Sequence, residues 1–503
     1  MSETTNSADV LIVGGGSAGA ALAARLSEDP SRRVVLLEAG PAYGPDANPA
    51  ALLNPLVVAD PGHDWGYTAR GNATNPQLPA ARGKVLGGSS AVNAAVAMRP
   101  PAGDFAKWAD YGIHGWSFDE VLPTFKRLEN TPTGDDAYHG RSGPLSVRQR
   151  SDEELTPSLL RFVDASVAHG FKRVDDFNGA EQRGTGGIPV NVVDGVRQST
   201  ALAYLTPSVR SRPNLVILGE VNVDRVLFDG EKAVGVLAAD GTVYRAGEVI
   251  VSAGTYGSAA ILLRSGVGPS ADLRALGIEV VADLPVGQRL QEQPLFPTIY
   301  ALAPEYVQMT PATGSLVWTA SSEAIGDELD LQIAATHLID PSVSPTGGAI
   351  VLAIALVKPE SRGTLRLASR DPNAAPVIDL NYLATSRDAR RLLEGVRLSR
   401  AIARSDVFAP MTSGELLPGD AVTDDALPDV IASNLAPYFH PTSTAPMGGP
   451  ADPWAVVDAV GAVNGVAGLR VVDASIIPEV PSAATNLTTI MVAEHIYQRV
   501  YAG

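Results

Sequence analysis

Gly14, Gly16 and Gly19 fall in the run Gly14-Gly15-Gly16-Ser17-Ala18-Gly19, which has the G-x-G-x-x-G spacing. That spacing suits the binding of a dinucleotide. The first glycine permits a tight turn, the second lets backbone approach a pyrophosphate, and the third lets a helix pack close to the preceding strand. Glu38 stands about 20 residues further on, where a carboxylate at a strand end accepts from ribose hydroxyls. There is no cysteine, which excludes disulfides, thiolate metal sites and cysteine nucleophiles. No metal-ligand spacing is present. Redox chemistry here needs a bound cofactor. The seven histidines are the side chains that titrate nearest neutral pH: His63, His114, His139, His169, His337, His440 and His495.

The elements around the glycine run agree with this reading. Asp9–Val13 is a short apolar run of the kind that forms a buried parallel strand. Ser17–Ser27 follows helical spacing, and Val34–Leu37 is a second buried strand ending at Glu38. Together they make one βαβ unit, with the helix N-terminus facing phosphate charge. Ala39 opens a Pro/Gly-rich stretch to about Pro61, read as loop. Residues 108–128 read as helix, and an irregular stretch runs on to about Thr200. Residues 214–253 alternate like strands, with turns at Asp229-Gly230 and Asp240-Gly241. Ser258–Ser265 reads as helix, Leu329–Thr336 and Ala349–Val357 as strands, and 387–406 as an amphipathic helix. The chain closes with a strand at Leu469–Val472 and a helix at Thr488–Val500.

The chain has 503 residues and a net charge of −17, with no long run of one sign. Nucleic-acid binding needs basic patches to neutralise phosphates, and this balance argues against it. It argues equally against docking on an anionic membrane surface. Residues Met1–Asp9 are polar and read as disordered, with no basic segment leading into an apolar stretch, so no secretory signal is expected. No apolar run reaches membrane-span length. The expectation is a cytoplasmic enzyme.

Four further segments carry a family resemblance. Ala81–Asn93 reads ARGKVLGGSSAVN, and residues 252–268 read SAGTYGSAAILLRSGVG. Tyr438–Gly449 reads YFHPTSTAPMGG, and Val471–Ile496 reads VVDASIIPEVPSAATNLTTIMVAEHI. In order and spacing these segments resemble the glucose–methanol–choline (GMC) oxidoreductases, in particular the bacterial choline-dehydrogenase-like and aryl- or furfuryl-alcohol-oxidising branch. The resemblance implies an α/β protein with an α+β second domain. A Rossmann-like FAD-binding domain would comprise residues 1–155, 200–290 and 440–503. A sheet-and-helix substrate-binding domain would comprise 156–199 and 291–439. It implies an FAD-dependent alcohol oxidase or dehydrogenase, with O2 or another acceptor reoxidising the flavin.

Carried over by position, Gly14, Gly16, Ser17, Gly19, Glu38 and Ala39 would hold the ADP half of FAD. Arg82, Gly87, Gly88, Ser89 and Asn93 would lie along the pyrophosphate and the flavin edge. Val223 would touch the adenine region, and Ser252, Ala253 and Gly254 would turn the chain beside the ADP. Asp473 and Ala474 would meet ribityl or pyrophosphate oxygens, and Asn486 and Thr488 the pyrimidine end of the flavin. Some members tether FAD through a histidine; the aligned residue here is Val92, so the resemblance implies non-covalent FAD.

His440 matches the histidine that these enzymes place over the flavin, where it would take the proton of the substrate hydroxyl. Most members have a second His or Asn nearby; the aligned residue here is Ala484, which has no hydrogen-bonding group. His440 would then act alone, or with Asn486 or His337, or in a changed chemistry. The pocket is expected from residues 290–440 with a lid near 60–67. His337, Tyr438, Phe439 and Ala484 are candidate pocket residues; Phe296, Tyr300 and Trp318 read as wall or core. No cluster marks a cage for a quaternary ammonium, so an apolar or aromatic primary alcohol is expected rather than choline. Two other readings stay open: a non-redox member of the scaffold, like the hydroxynitrile lyases or a fatty-acid photodecarboxylase, and a catalytically silent flavin-binding protein.

Overall fold

The computed structural model describes residues 7–502, in which two seven-stranded sheets lie on either side of one large cavity. The first sheet forms around Ser7–Val13, whose residues Val10–Val13 are at most 4% exposed. Burial on both faces explains why Val10–Val13 is continuously apolar rather than alternating. It pairs in parallel with Val34–Leu37 on one side and with Val243–Val251 on the other. Leu215–Leu218 extends the sheet beyond Val34–Leu37, and Leu469–Val471 pairs in parallel with residues 249–251. The antiparallel strands Lys232–Ala238 and Val223–Asp229 complete it. The turns fall at the expected Asp-Gly pairs. Beyond the second of them, Val243–Val251 is one continuous strand.

The second sheet is antiparallel. Its strands are Gly184–Gly187, Pro294–Leu302, Thr313–Thr319, Leu331–Thr336, Ala349–Leu356, Thr412–Leu417 and Ala436–Pro437. One face looks into the cavity: Pro297, Ala353, Ala334 and Leu316 stand opposite one another across four strands and all border it. The other face is covered by the helix Ser386–Ala403, with Thr298 Oγ1 3.3 Å from Ser399 Oγ. Side chains alternate between the faces along each strand. Phe296 and Tyr300 therefore pack away from the cavity, and the Tyr300 hydroxyl donates to Glu415 at 2.9 Å. Trp318 packs beside Phe177 and donates to Leu329 O at 3.3 Å. None of these three is a cavity wall.

Three other expectations are corrected. Ser7–Asp9 belong to the first strand rather than to a disordered lead, and Met1–Asn6 lie outside the described residues. The stretch read as irregular holds the helix Pro157–Ala168, capped by the Thr156 side chain, and the strand Gly184–Gly187. A strand of sequence GTGG has no apolar pattern to read. It is close packing that demands it, because a Cβ on Gly184 or Gly186 would overlap the Lys172 or Val174 carbonyl. The last helix begins at Thr485, three residues earlier than expected.

Candidate active site

The cavity measures about 750 Å³ and runs from the glycine turn of the first sheet to the inner face of the second. At the first end, Gly14 has φ +99°, and a Cβ there would stand 2.5 Å from the Ser252 carbonyl oxygen. Only glycine accepts both constraints. Gly19 lies against Gly14 and lets the helix Ser17–Leu26 start directly above the turn. Gly88, at φ +52°, sits where a Cβ would be 2.7 Å from the Gly16 Cα. The Glu38 carboxylate accepts from Gly15 N and Gly40 N, each at 2.8 Å. Burial raises its pKa to about 7 against these hydrogen bonds.

Asp473 ties this end together. Its carboxylate accepts from Gly254 N at 2.8 Å and Ser258 Oγ at 2.5 Å, and from Ser475 N and Oγ at 2.8 and 2.5 Å. Ser17 Oγ donates to the Asn486 side-chain oxygen at 2.7 Å, which joins the first helix to the last. Gly14, Gly16, Ser17, Glu38, Ala39, Arg82, Gly88, Ser89, Asn93, Val223, Ser252, Ala253, Gly254, Asp473, Ala474 and Asn486 all border the cavity. Gly19 and Gly87 stand behind it as packing positions. Thr488 is a correction: it is buried off the cavity with its hydroxyl unpartnered, while Thr485 and Thr489 border the cavity instead. The earlier helix start explains this, because it sets which side of the last helix faces inward.

His440 stands at the other end, in the turn Tyr438-Phe439-His440. Phe439 has φ +64°, a left-handed conformation rare for a bulky residue. Three bonds hold it: Arg82 Nη2 donates to Phe439 O at 2.9 Å, His440 N donates to Glu292 at 2.8 Å, and Tyr438 N donates to Gln293 O at 3.1 Å. His440 Nδ1 lies 2.7 Å from the Gln293 side-chain oxygen. The Gln293 amide nitrogen donates to Val357 O at 2.9 Å and Pro481 O at 2.8 Å, which fixes which end of the amide meets the ring. The proton of neutral His440 therefore resides on Nδ1, and Nε2 keeps its lone pair. Burial and then the Arg82 charge lower the His440 pKa to about 3, so the imidazole is a neutral acceptor across the physiological range.

The chamber between His440 and the second sheet also holds Tyr438, Phe439 and Ala484. Of the residues expected as a lid near 60–67, Asp64, Trp65 and Tyr67 border the cavity, with Trp65 stacked on Tyr67 at 5.6 Å. His337 is a correction. It is buried beyond the wall, with Nδ1 donating to Ala349 O at 2.8 Å and Nε2 facing Thr156 Oγ1 at 3.0 Å. Its neighbours Thr336 and Leu338 face the chamber. Gln293, Gln332 and Glu292 escape sequence reasoning, although Gln332, a polar residue inside the buried apolar strand Leu331–Thr336, is a signal in itself.

A glycine turn of dinucleotide-binding form and a neutral imidazole share one cavity, an arrangement that suits a dinucleotide-dependent oxidoreductase. The chain belongs to the GMC oxidoreductase family, whose N-terminal domain model matches residues 8–295 and whose C-terminal one matches residues 359–493. It is 36% identical to an oxygen-dependent choline dehydrogenase of Burkholderia ambifaria, over 99% of this chain and 94% of that protein. It is similar in structure to pyridoxine 4-oxidase from Mesorbium loti, with TM-score 0.90, 32% identity and 99% of each chain covered. Formate oxidase from Aspergillus oryzae superposes with TM-score 0.89 at 23% identity over 99% of each chain, a likeness of fold. The protein is an FAD-dependent alcohol oxidoreductase. The cradle fits FAD: small residues line it where a Cβ would intrude, and its free volume continues to His440. Among the described residues no helix is long and apolar enough to cross a membrane.

Proposed function

We propose that the protein oxidises an apolar or aromatic primary alcohol to the aldehyde, with His440 as the general base. The observation that carries this reading is the second-sheet wall. Leu295, Pro297, Ile299, Leu316, Ala334, Val351 and Ala353 give it an apolar surface, and Thr313, Gln332 and Thr336 are its polar members. None of them is charged, so the wall offers no carboxylate to a quaternary ammonium. The 36% identity to a choline dehydrogenase supports alcohol chemistry, and the likeness to pyridoxine 4-oxidase supports an aromatic ring carrying the alcohol.

Bound FAD would supply the acceptor for the hydride of the alcohol carbon. Nε2 of His440 takes the hydroxyl proton, and the Gln293 bond at Nδ1 keeps that lone pair directed at the chamber. The apolar wall excludes water and strengthens the electrostatics inside. Gly14, Gly16, Ser17, Gly19, Glu38 and Ala39 would hold the ADP half of FAD. Arg82, Gly88, Ser89, Asn93, Asp473, Ala474 and Asn486 would line its remainder. Val92 borders the cavity without a nucleophilic atom, in keeping with non-covalent FAD. O2 or another acceptor would reoxidise the flavin. We assign residues 1–155, 200–290 and 440–503 to an FAD-binding domain and 156–199 and 291–439 to a substrate domain; every strand of the first sheet comes from the former set and every strand of the second from the latter.

Anaerobic titration of the holoprotein with benzylic, heteroaryl and aliphatic alcohols, and with choline, tests the reading. Flavin bleaching by an aromatic alcohol at lower concentration than by choline is expected. Bleaching by choline alone would sink it.

A further inference from the structure

An alcohol that gives its proton to His440 develops negative charge on oxygen as the hydride leaves, and a hydrogen-bond donor aimed at that oxygen lowers the barrier. Ala484 borders the chamber but offers only a methyl group. Asn486 accepts from Ser17 Oγ through its side-chain oxygen, which holds this amide at the glycine turn. The Tyr438 ring, by contrast, lies 4.6 Å from the His440 imidazole, centroid to centroid, and borders the same chamber. We propose that the Tyr438 hydroxyl is the second hydrogen-bond partner of the substrate oxygen, a catalytic donor standing beside the base.

The support is a brace of two glutamines. Pro481 and Ser482 are consecutive, and each carbonyl accepts at 2.8 Å from a glutamine side chain, Gln293 and Gln332 respectively. The first glutamine turns its oxygen to His440 Nδ1 at 2.7 Å, and the second turns its oxygen to the Tyr438 hydroxyl at 3.2 Å. One strap of backbone thus orients both polar groups. The strap is itself pinned, with Val480 N on Gln291 at 2.8 Å, Val480 O on the Lys358 ammonium at 3.1 Å, and Ser482 N on Asp104 at 2.6 Å.

The two arms differ in strength. A neutral O–H···O bond is normally about 2.7–2.8 Å long. The Tyr438 bond is longer, so its hydrogen is readily exchanged for an oxygen that is becoming an alkoxide, the stronger, charge-assisted acceptor. Burial raises the Tyr438 pKa above the ordinary phenol range, so the group donates and does not compete as a base. In the reaction the substrate O–H bond breaks with its proton passing to His440 Nε2. The C–H electron pair leaves as hydride to the FAD of the family, which is reduced by two electrons as the alcohol is oxidised. Tyr438 keeps its proton throughout.

The inference rests on alcohol oxidation, and its test uses whichever alcohol bleaches the wild-type flavin. Should that prove to be choline, the aromatic reading fails while the same comparison still judges Tyr438. In Tyr438→Phe holoenzyme the anaerobic reduction rate is expected to fall about 10²-fold, on the scale of one oxyanion donor. Binding of an analogue lacking the hydroxyl, read from the flavin spectrum, is expected to stay within about twofold. Adding Ala484→Asn to Tyr438→Phe supplies an amide donor at another position bordering the chamber and is expected to restore at least about tenfold. A Tyr438→Phe enzyme as fast as wild type overturns the proposal. So does a rate loss matched by an equal loss of analogue binding, which would make Tyr438 a packing residue.

Discussion

The Gln293 side-chain oxygen sits 2.7 Å from Nδ1 of His440, and the same amide donates to the Val357 and Pro481 carbonyls. An uncharged partner with a fixed end fixes the tautomer of the base without stabilising its charged form. Replacement by Glu places a carboxylate at Nδ1, which favours imidazolium and raises the His440 pKa by about 1–3 units. Wild-type His440 has a pKa of about 3 and stays neutral as the pH falls. Gln293→Glu is therefore expected to lose kcat/KM on the acid side at higher pH than wild type does. Superimposable pH profiles of flavin reduction would remove Gln293 from a positioning role. Gln293→Leu leaves Nδ1 without a partner and is expected to slow reduction about 10-fold or more at every pH, because the ring loses its orientation.

His440→Ala removes the base and leaves the cradle untouched. The variant is expected to purify with full FAD and to lose at least about 10²-fold in the anaerobic reduction rate. Turnover equal to wild type would exclude His440 as the base.

Gly88→Ala probes the cradle where it approaches the glycine turn, since the added Cβ would stand 2.7 Å from the Gly16 Cα in a left-handed conformation. Such overpacking costs about 1–3 kcal/mol. FAD affinity is expected to fall about 10- to 10²-fold, measured by fluorescence as flavin is released on dilution, with circular dichroism unchanged. Undiminished affinity would show that this contact yields freely.

His139 gives a stability test away from the active site. Its Nε2 lies 2.7 Å from Asp176 and its Nδ1 3.1 Å from Glu129. Burial pushes its pKa down, but the hydrogen bonds to the two carboxylates outweigh this and raise it to about 9. The folded protein then holds a proton that the unfolded chain releases near pH 6.5. The stabilisation is complete below about pH 6.5 and is lost as pH rises through about 9, a change of about 3 kcal/mol at most. In thermal melts, His139→Gln is expected to lose more Tm at pH 6 than at pH 9.5. A gap between variant and wild type that does not change with pH would refute this.

The glycine turn and the strands beside it were legible in the sequence because their causes are local. Gly14, Gly16 and Gly19 are set by the turn they form, and Val10–Val13 and Val34–Leu37 by burial on both faces. The motif around His440 is likewise contiguous in the chain. Thr488 was misplaced because the facing side of a helix depends on where it starts, and the start at Thr485 is not marked by a side-chain cap. His337 stands off the chamber because, just past the strand Leu331–Thr336, its ring is held by Ala349 O and Thr156 Oγ1, and a type of residue alone carries no such information.

The family is written in short contiguous runs, and so are the glycine turn proposed to cradle FAD and the histidine proposed as base. What only the tertiary structure decided is the partner of that base and the character of the chamber. Gln293 lies 147 residues from His440, and Gln332 lies 106 from Tyr438. The uncharged wall is assembled from four antiparallel strands whose register, not whose order in the chain, places Pro297, Ala353, Ala334 and Leu316 side by side. Pairing at such separation leaves no local pattern, because the energy that selects it comes from the closed sheet and the helix packed behind it.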